Sequence, residues 1–405
     1  MQTKLRVPLF GEAPAAPAPR GPAIGAKGFR VFFLLAGVFA VAMVPLWLLA
    51  LSGGFDPGAY LGPVYWHAHE MVFGYAVAVI AGFLLTAVGN WTGRETAVGP
   101  PLLGLGALWL LGRVAMLTAG ALPPWLAAVV ELAFLPALGV ALARPLIATK
   151  NTRNFIMLAV IAALWFADLA VHLDALGHLT GWRRRGNLLG VDVVTFVILV
   201  IAGRVFPMFT RNATSVASIR SVPSLDVAAI ASMALVIALD VALPDAKLTA
   251  VVAGVAAVLA AARAVHWGSR HTASNPLLWI LHVGYAWVPV GLALRLVAAF
   301  TARVPPSAAT HALTVGAIGA LTLGMMSRVA LGHTGRMLTV TRPVTASFVL
   351  LTLSALARVL VGLVNPAWYR ASLFVAGTLW TAAFAIFLVV YTPVFTTPRV
   401  DGKPG

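Results

Sequence analysis

Apolar segments of about 20 residues follow one another along the chain, separated by short polar stretches. A helix of about 20 apolar residues is long enough to cross the hydrocarbon core of a bilayer. The pattern therefore predicts an all-α, polytopic membrane protein with about 12 transmembrane helices. The predicted spans are 31–51, 69–90, 102–120, 125–146, 155–176, 188–209, 225–243, 248–265, 276–300, 311–331, 345–364 and 371–391.

The composition agrees with a membrane protein and excludes several other classes. Of the 405 residues, 60% are apolar and 10% are charged, whereas soluble domains are about 25% charged. The formal charge of +16 would favour a nucleic-acid partner in a soluble protein, but here the basic residues lie between the apolar segments. We therefore expect no nucleic-acid partner. The absence of cysteine excludes disulfides, thiolate metal sites, iron–sulfur clusters and covalently attached haem.

The distribution of Lys and Arg predicts an orientation in the membrane. With the N-terminus inside, the tails and even-numbered loops hold most of these residues, which places both termini in the cytoplasm. The three arginines at 183–185 disagree, because they fall in a predicted outer loop. We expect a flexible basic N-terminal tail over 1–30, a single 12-helix domain over 31–392 and a C-terminal tail over 393–405. No six-plus-six repeat is visible.

The nine histidines are the main functional candidates, because ionisable groups inside a bilayer are costly. His67, His69, His172, His178 and His311 lie near the predicted outer ends of helices, and His266, His271, His282 and His333 lie near the inner ends. His311 and His333 are 22 residues apart on one predicted helix, which is about 33 Å at 1.5 Å per residue. They cannot share a metal. Two sites are therefore predicted, as expected for redox centres stacked across a membrane.

The segment 65–71, Tyr-Trp-His-Ala-His-Glu-Met, is the densest polar motif. His67 and His69 reach one metal only if the helix has not begun at His67, because residues two apart on a helix point in nearly opposite directions. Glu70 could orient an imidazole, and the thioether of Met71 could bind copper. The alternative is an interfacial belt of aromatic and histidine side chains.

Arginines near both faces could pair with haem propionates or another buried anion. The candidates are Arg204, Arg328 and Arg336 on the inner side and Arg113 on the outer side. Arg204 lies close to Pro207, which breaks the backbone ladder near a helix end and frees carbonyl groups. The alternative is an interfacial arginine that extends to the headgroups.

Acidic residues at membrane depth indicate a proton path. Asp168 and His172 lie four residues apart on one helical face, where the carboxylate could orient the imidazole or relay protons. The alternative is a solvated pair at the interface. Glu70, Tyr75, Glu131 and Asp192 are further candidates.

Three separated motifs resemble signatures of the NnrS family of bacterial membrane proteins. They are Trp-His-Ala-His-Glu-Met at 66–71, continuing through 81–86 to 90–93, then 203–212, and then 328–336. The similarity covers almost the whole chain after residue 30. The resemblance implies a twelve-helix inner-membrane protein with haem and copper, associated with denitrification and resistance to nitric oxide. The positions carried over by motif are His67, His69, Glu70, Arg204, His311, Arg328 and His333.

We therefore expect a bacterial inner-membrane protein that handles nitric oxide, by reducing it to N2O or by protecting other metal centres. The expected cofactors are one or two haem b groups and copper, and the electron donor is unknown. The predicted metal ligands are His67, His69, His172, His266, His282, His311 and His333, and the predicted catalytic residues are Glu70, Tyr75 and Asp168. Two alternatives stay open: a proton-coupled transporter, and a non-catalytic sensor or scavenger of nitric oxide.

Overall fold

A computed structural model describes residues 22–54, 56, 60–243, 246–403 and 405. In these residues it shows no β-strand and 12 helices long and apolar enough to cross a membrane. They are α1 (Gly28–Leu51), α2 (Pro63–Thr92), α3 (Pro100–Leu117), α4 (Pro124–Ala148), α5 (Thr152–Ala175), α6 (Trp182–Thr214), α7 (Pro223–Ala242), α8 (Lys247–Trp267), α9 (Pro276–Phe300), α10 (Pro306–His333), α11 (Arg342–Val364) and α12 (Pro366–Thr396). The predicted all-α, polytopic fold is confirmed.

Proline sets the start of many of these helices. It stands at the first or second position of α2, α3, α4, α7 and α9 to α12. A proline is well suited there, because the first N–H groups of a helix have no intrahelical partner. Pro63 thus begins α2 six residues ahead of the predicted span, and both His67 and His69 are helical.

Two other boundaries differ from the prediction. The helix α6 begins at Trp182, so the arginines at 183–185 form its first turn and do not lie in a loop. The carboxylate of Asp174 accepts a hydrogen bond from the Trp182 N–H (2.6 Å) and pairs with Arg183 (2.8 Å). The helix α12 continues to Thr396. Of the predicted N-terminal tail, residues 1–21 lie outside the described residues.

Consecutive helices are antiparallel, so the even-numbered helices begin at one end of the bundle. We name this end the His67 end and the opposite one the His333 end. The first and last helices are neighbours: the Trp380 indole of α12 donates to the Ala40 carbonyl of α1 (3.1 Å). Arg30, near the start of α1, donates to the carbonyls of Phe395 (2.9 Å) and Thr397 (2.7 Å).

The interior of the bundle is formed mainly by α2 and α10, which are its most buried helices. They are joined directly by a hydrogen bond between the hydroxyls of Tyr75 and Thr322 (2.6 Å). Each contains a π-helical segment, Glu70–Ala76 in α2 and Ala312–Gly319 in α10. A third such segment, Ala357–Val361, lies in α11. Such segments are rare and frequent at functional sites.

Candidate functional site

A buried polar cluster occupies the His67 end, between α2, α3, α4 and α5. We name it the histidine–carboxylate cluster, and its members are Tyr60, His69, Glu70, Arg113, Glu131, Asp168 and His172. The six ionisable side chains of the helices are at most 5% exposed. In hydrocarbon such groups persist only when they bind one another or a ligand. We therefore describe first how these side chains pair with one another.

His69 lies between two carboxylates. Its Nδ1 is 2.9 Å from Glu70 Oε1, and its Nε2 is 2.8 Å from Asp168 Oδ1. The guanidinium of Arg113 donates to both Glu70 (2.8 Å) and Glu131. Arg113 thus holds the two glutamates of neighbouring helices in fixed positions.

His172 completes the cluster from α5. Its Nε2 is 3.2 Å from Glu131 and 3.6 Å from Asp168, and its Nδ1 is 2.7 Å from the hydroxyl of Tyr60. Burial raises the pKa of Tyr60, and the nearby Glu131 and Asp168 raise it further. Tyr60 therefore stays a neutral hydroxyl that can donate a hydrogen bond to the His172 ring or accept one from it.

Four members of the cluster have the arrangement of metal ligands. One donor atom from each of His69, Glu131, Asp168 and His172 lies within 4.8 Å of the other three. No other group of this kind occurs in the described parts of the chain. The predicted candidates His69, Glu70, Asp168 and His172 are thus brought together by the fold. Glu131 had been singled out only as a weak proton-path acid, because sequence spacing does not show that α4 faces α5.

Beside the cluster lies a largely apolar cavity of about 500 Å³, which we name the His67 cavity. Its walls include Trp47, Met71 and Trp380, and its polar side chains include His67, Tyr75, Arg184, His311 and Arg358. All three π-helical segments contribute to the lining. A volume of this size is within the range of pockets that bind cofactors and other small molecules.

His311 lines the cavity in a defined tautomer. Its Nδ1 is 2.7 Å from the Ser307 carbonyl, which can only accept, so Nδ1 carries the proton and Nε2 carries the free lone pair. The ring of His67 lines the same cavity and stacks on Trp47 with centroids 4.1 Å apart. Its Nδ1 is buried and has no hydrogen-bond partner among the described residues.

The expectation that His67 and His69 share one metal is therefore corrected. Because α2 begins at Pro63, the two rings point in different directions on a formed helix. His69 enters the histidine–carboxylate cluster, whereas His67 enters the cavity. Met71, four residues after His67, lines the cavity as well.

The predicted inner site is not assembled in the same way. His282 bonds to the hydroxyls of Thr210 (2.9 Å) and Ser269 (2.8 Å), and the His333 ring packs on Phe29 with centroids 5.8 Å apart. His266 accepts a bond from the Arg220 N–H through its backbone carbonyl. These three histidines form no metal-ligand group in the described residues.

The arginines proposed as cofactor partners also have other surroundings. Arg113 is engaged by Glu70 and Glu131 inside the cluster. The Arg204 side chain is exposed, Arg328 lies 3.8 Å over the Phe209 ring, and Arg336 bonds to the Thr397 hydroxyl (3.3 Å). None of the four lines the His67 cavity. The cations that do so are Arg184 and Arg358.

A sequence repeat relates α2 to α10. Residues 69–94 and 311–336 align without gaps at an offset of 242 residues. The identical pairs are His69/His311, Gly74/Gly316, Ala78/Ala320, Gly82/Gly324, Thr92/Thr334, Gly93/Gly335 and Arg94/Arg336. In both helices the π-helical segment starts directly after the shared histidine. A six-plus-six repeat would relate α2 to α8, so the similarity between α2 and α10 is visible only when these two helices are compared directly.

Fold and site together define a class: a twelve-span helical membrane protein with a buried histidine–carboxylate cluster beside an apolar cavity. The sequence profile of the family described as NnrS protein matches residues 23–399. The chain therefore belongs to the NnrS family, as its three motifs indicated. No curated protein matches the chain.

Proposed function

We propose that the protein binds haem b in the His67 cavity and acts on nitric oxide there, the role that the NnrS resemblance implies. The observation that carries this proposal is His311. Its Nδ1–H is fixed by a backbone carbonyl, and its Nε2 lone pair is available in a ligand-sized cavity. This is the usual arrangement of a metal-ligating histidine, whose second nitrogen is oriented by a hydrogen bond.

The rest of the cavity suits a haem. Trp47 and Trp380 offer apolar surface for the macrocycle, while Arg184 and Arg358 offer cations for its propionates. Arg358 is oriented by the Tyr369 hydroxyl (3.2 Å). His311 would hold the haem iron through Nε2, and the apolar walls would exclude water. A bound haem supplies an iron that binds nitric oxide, a small neutral molecule that can arrive through the bilayer.

Copper, the second cofactor implied by the resemblance, has suitable donors in the same cavity. His67 and Met71 are four residues apart on α2, and both side chains line it. An imidazole and a thioether are ligands that favour Cu(I). We propose these two residues as copper ligands.

Reduction of nitric oxide is the finer proposal: two NO, two electrons and two protons give N2O and water. Tyr75 lines the cavity, and its hydroxyl forms a hydrogen bond with the Thr322 hydroxyl. We therefore propose Tyr75 as the residue that delivers protons to nitric oxide in the cavity. The other predicted proton-path residues, Glu70 and Asp168, both contact His69 in the cluster on the other side of α2. On this proposal, the protein acts on nitric oxide in the inner membrane of a bacterium.

The test is an optical spectrum of the purified protein, with and without nitric oxide. We expect a b-type haem whose bands shift when NO is added. The variant His311→Gly should lose the haem or its native bands, and added imidazole should restore them. His333→Gln, at the other end of the same helix, should leave the spectrum unchanged.

Two results would contradict the proposal. A featureless spectrum after expression with ample haem would exclude a haem protein and favour the transporter alternative. If the His311→Gly variant keeps the native spectrum, the haem must bind at another site. Consumption of NO under a chemical reductant, with N2O as the product, separates a reductase from a scavenger.

A further inference from the structure

We propose that the histidine–carboxylate cluster is a binding site for one divalent first-row transition-metal ion, separate from the cofactors of the His67 cavity. The ligands are His69, Glu131, Asp168 and His172. The first observation is their proximity, since one donor atom from each lies within 4.8 Å of the other three. Ligands of a common ion at about 2.0–2.2 Å must lie within roughly 4.4 Å of one another, so small shifts suffice to close the site.

The cluster contains more carboxylates than fixed cations. Three carboxylates, those of Glu70, Glu131 and Asp168, face the single guanidinium of Arg113. With neutral imidazoles, two negative charges stay uncompensated in side chains that are at most 5% exposed. Uncompensated charge at such burial is strongly unfavourable. A divalent cation between the four ligands neutralises it.

The hydrogen bonds around the two histidines already suit metal binding. In each ring Nε2 faces the centre of the group, while Nδ1 has an outer partner: Glu70 for His69 and Tyr60 for His172. A ligating imidazole normally gives its second N–H to a carboxylate or another acceptor. Arg113 in turn fixes Glu70. Both imidazoles therefore already have a hydrogen-bond partner at Nδ1, the nitrogen that would not bind the metal.

One further oxygen atom of a ligand residue is buried without a hydrogen-bond donor in the described part of the chain. Asp168 is 1% exposed, and its Oδ2 has no hydrogen bond among the described residues. A buried carboxylate oxygen without a donor is costly, and a cation is the partner it lacks. The repeat agrees with this assignment, because His69 occupies the position in α2 that the proposed haem ligand His311 occupies in α10.

The donor set identifies the class of metal. Two imidazoles and two carboxylates, without sulfur, suit Zn²⁺, Mn²⁺ or Fe²⁺. They do not suit Cu(I), which prefers thiolate and thioether ligands. The site thus differs in chemistry from the His67 and Met71 pair in the cavity.

The experiment measures metal and haem in the same samples of full-length protein. The purified protein is treated with a chelator, incubated with Zn²⁺ or Mn²⁺, desalted and analysed for metal, and haem is quantified separately. We expect about one ion per chain for the unaltered protein. Asp168→Asn and His172→Gln should lose the ion and keep the haem. Tyr60→Phe should bind it about 10- to 100-fold more weakly, as expected when an outer partner of a ligand is removed.

Asp192→Asn is the matched control. Asp192 is another buried acid at the His67 end, but it pairs with Arg295 (3.1 Å) outside the cluster. Its substitution should leave the metal content unchanged. If the ligand variants do not fold, the thermal stability of the unaltered protein should still rise with Zn²⁺ concentration and fall with chelator.

Absence of bound metal in haem-loaded, unaltered protein would overturn the proposal and identify the cluster as an ion-pair network neutralised by protons. Equal metal content in the unaltered protein and His172→Gln would overturn it as well. Because haem is counted independently, failure of this site and failure of the haem proposal give different results.

Discussion

The guanidinium of Arg113 is the only cation among the charged carboxylates of the cluster, and it contacts two of them at once. Replacing a buried ion pair with apolar groups on both sides can be neutral, whereas removing one partner leaves the other charge buried and unpaired. Arg113 therefore has a structural role at this site whatever the cluster binds. It fixes the carboxylates that face His69 and His172.

We predict that Arg113→Met lowers the free energy of unfolding by about 3–5 kcal/mol, because Glu70 and Glu131 then lose their counter-charge in a buried environment. Denaturation of the detergent-solubilised protein measures this. The control is Lys27→Met, which breaks the pair with Glu95, a half-exposed carboxylate. That change should cost less than about 1 kcal/mol. Similar costs for both variants would show that the cluster does not depend on Arg113.

Sequence reasoning at this scale selected most of the right residue types but grouped some of them wrongly. His69, Glu70, Asp168 and His172 were each candidates, because ionisable groups in apolar segments are conspicuous. Their common site was not predictable, since it requires α2 to meet α5, about 100 residues further along the chain. The pairing of His67 with His69 was wrong because the start of α2 at Pro63 determines where the rings point.

At the scale of single helices, the π-helical segments are the main departure from regular structure. Each accommodates one more residue per turn than an α-helix does, so it changes the direction of the side chains before it relative to those after it. In α2 and α10 the segment begins immediately after the repeat histidine. Hydrophobic periodicity cannot reveal such an insertion, because the whole helix is apolar.

Deleting Val315 from the segment in α10 should restore α-helical pairing there and turn His311 by about 100° relative to the rest of the helix. We predict loss of haem from the purified protein, measured by its absorbance per chain. Deletion of Ser218, exposed in the connection after α6, serves as the control and should leave haem bound. Full haem content after deletion of Val315 would show that the segment does not position His311.

The repeat glycines set how closely α10 packs on its neighbours. A Cβ at Gly316 would lie 2.5 Å from Trp287, whereas a Cβ at Gly104 in α3 would meet no atom within 4 Å. We predict that Gly316→Ala destabilises the protein by about 1–3 kcal/mol through overpacking. Gly104→Ala should stabilise it by about 0.5–1 kcal/mol, because alanine loses less backbone entropy in a helix. Unfolding curves of the two variants measure both effects. An unchanged midpoint for Gly316→Ala would contradict the close packing of Gly316 on Trp287.

For the molecule as a whole, hydropathy alone was enough to predict the number of helices. Segment length and apolar content determine which stretches can span a bilayer, and these are local properties of the sequence. The arrangement of helices around the cavity is not local. It depends on contacts such as that between Tyr75 and Thr322, which are 247 residues apart, and no spacing rule predicts them.

The orientation of the bundle follows from the positive-inside rule and is a prediction for the membrane-embedded protein. The chain has no cysteine, so a single introduced thiol reports its own location. A membrane-impermeant maleimide should label His178→Cys, exposed at the His67 end, in intact cells. It should label Ser218→Cys, exposed at the His333 end, only after the cells are permeabilised. The reverse result would place both termini outside.

The bonds from Arg30 to the carbonyls of Phe395 and Thr397 have a consequence for how the protein is made. During synthesis α1 enters the membrane before α12. Until α12 has been made, the Arg30 guanidinium lacks the two backbone carbonyls that it binds in the folded protein. A chain that stops before α12 should therefore be less stable in the membrane than the full-length chain and be degraded faster.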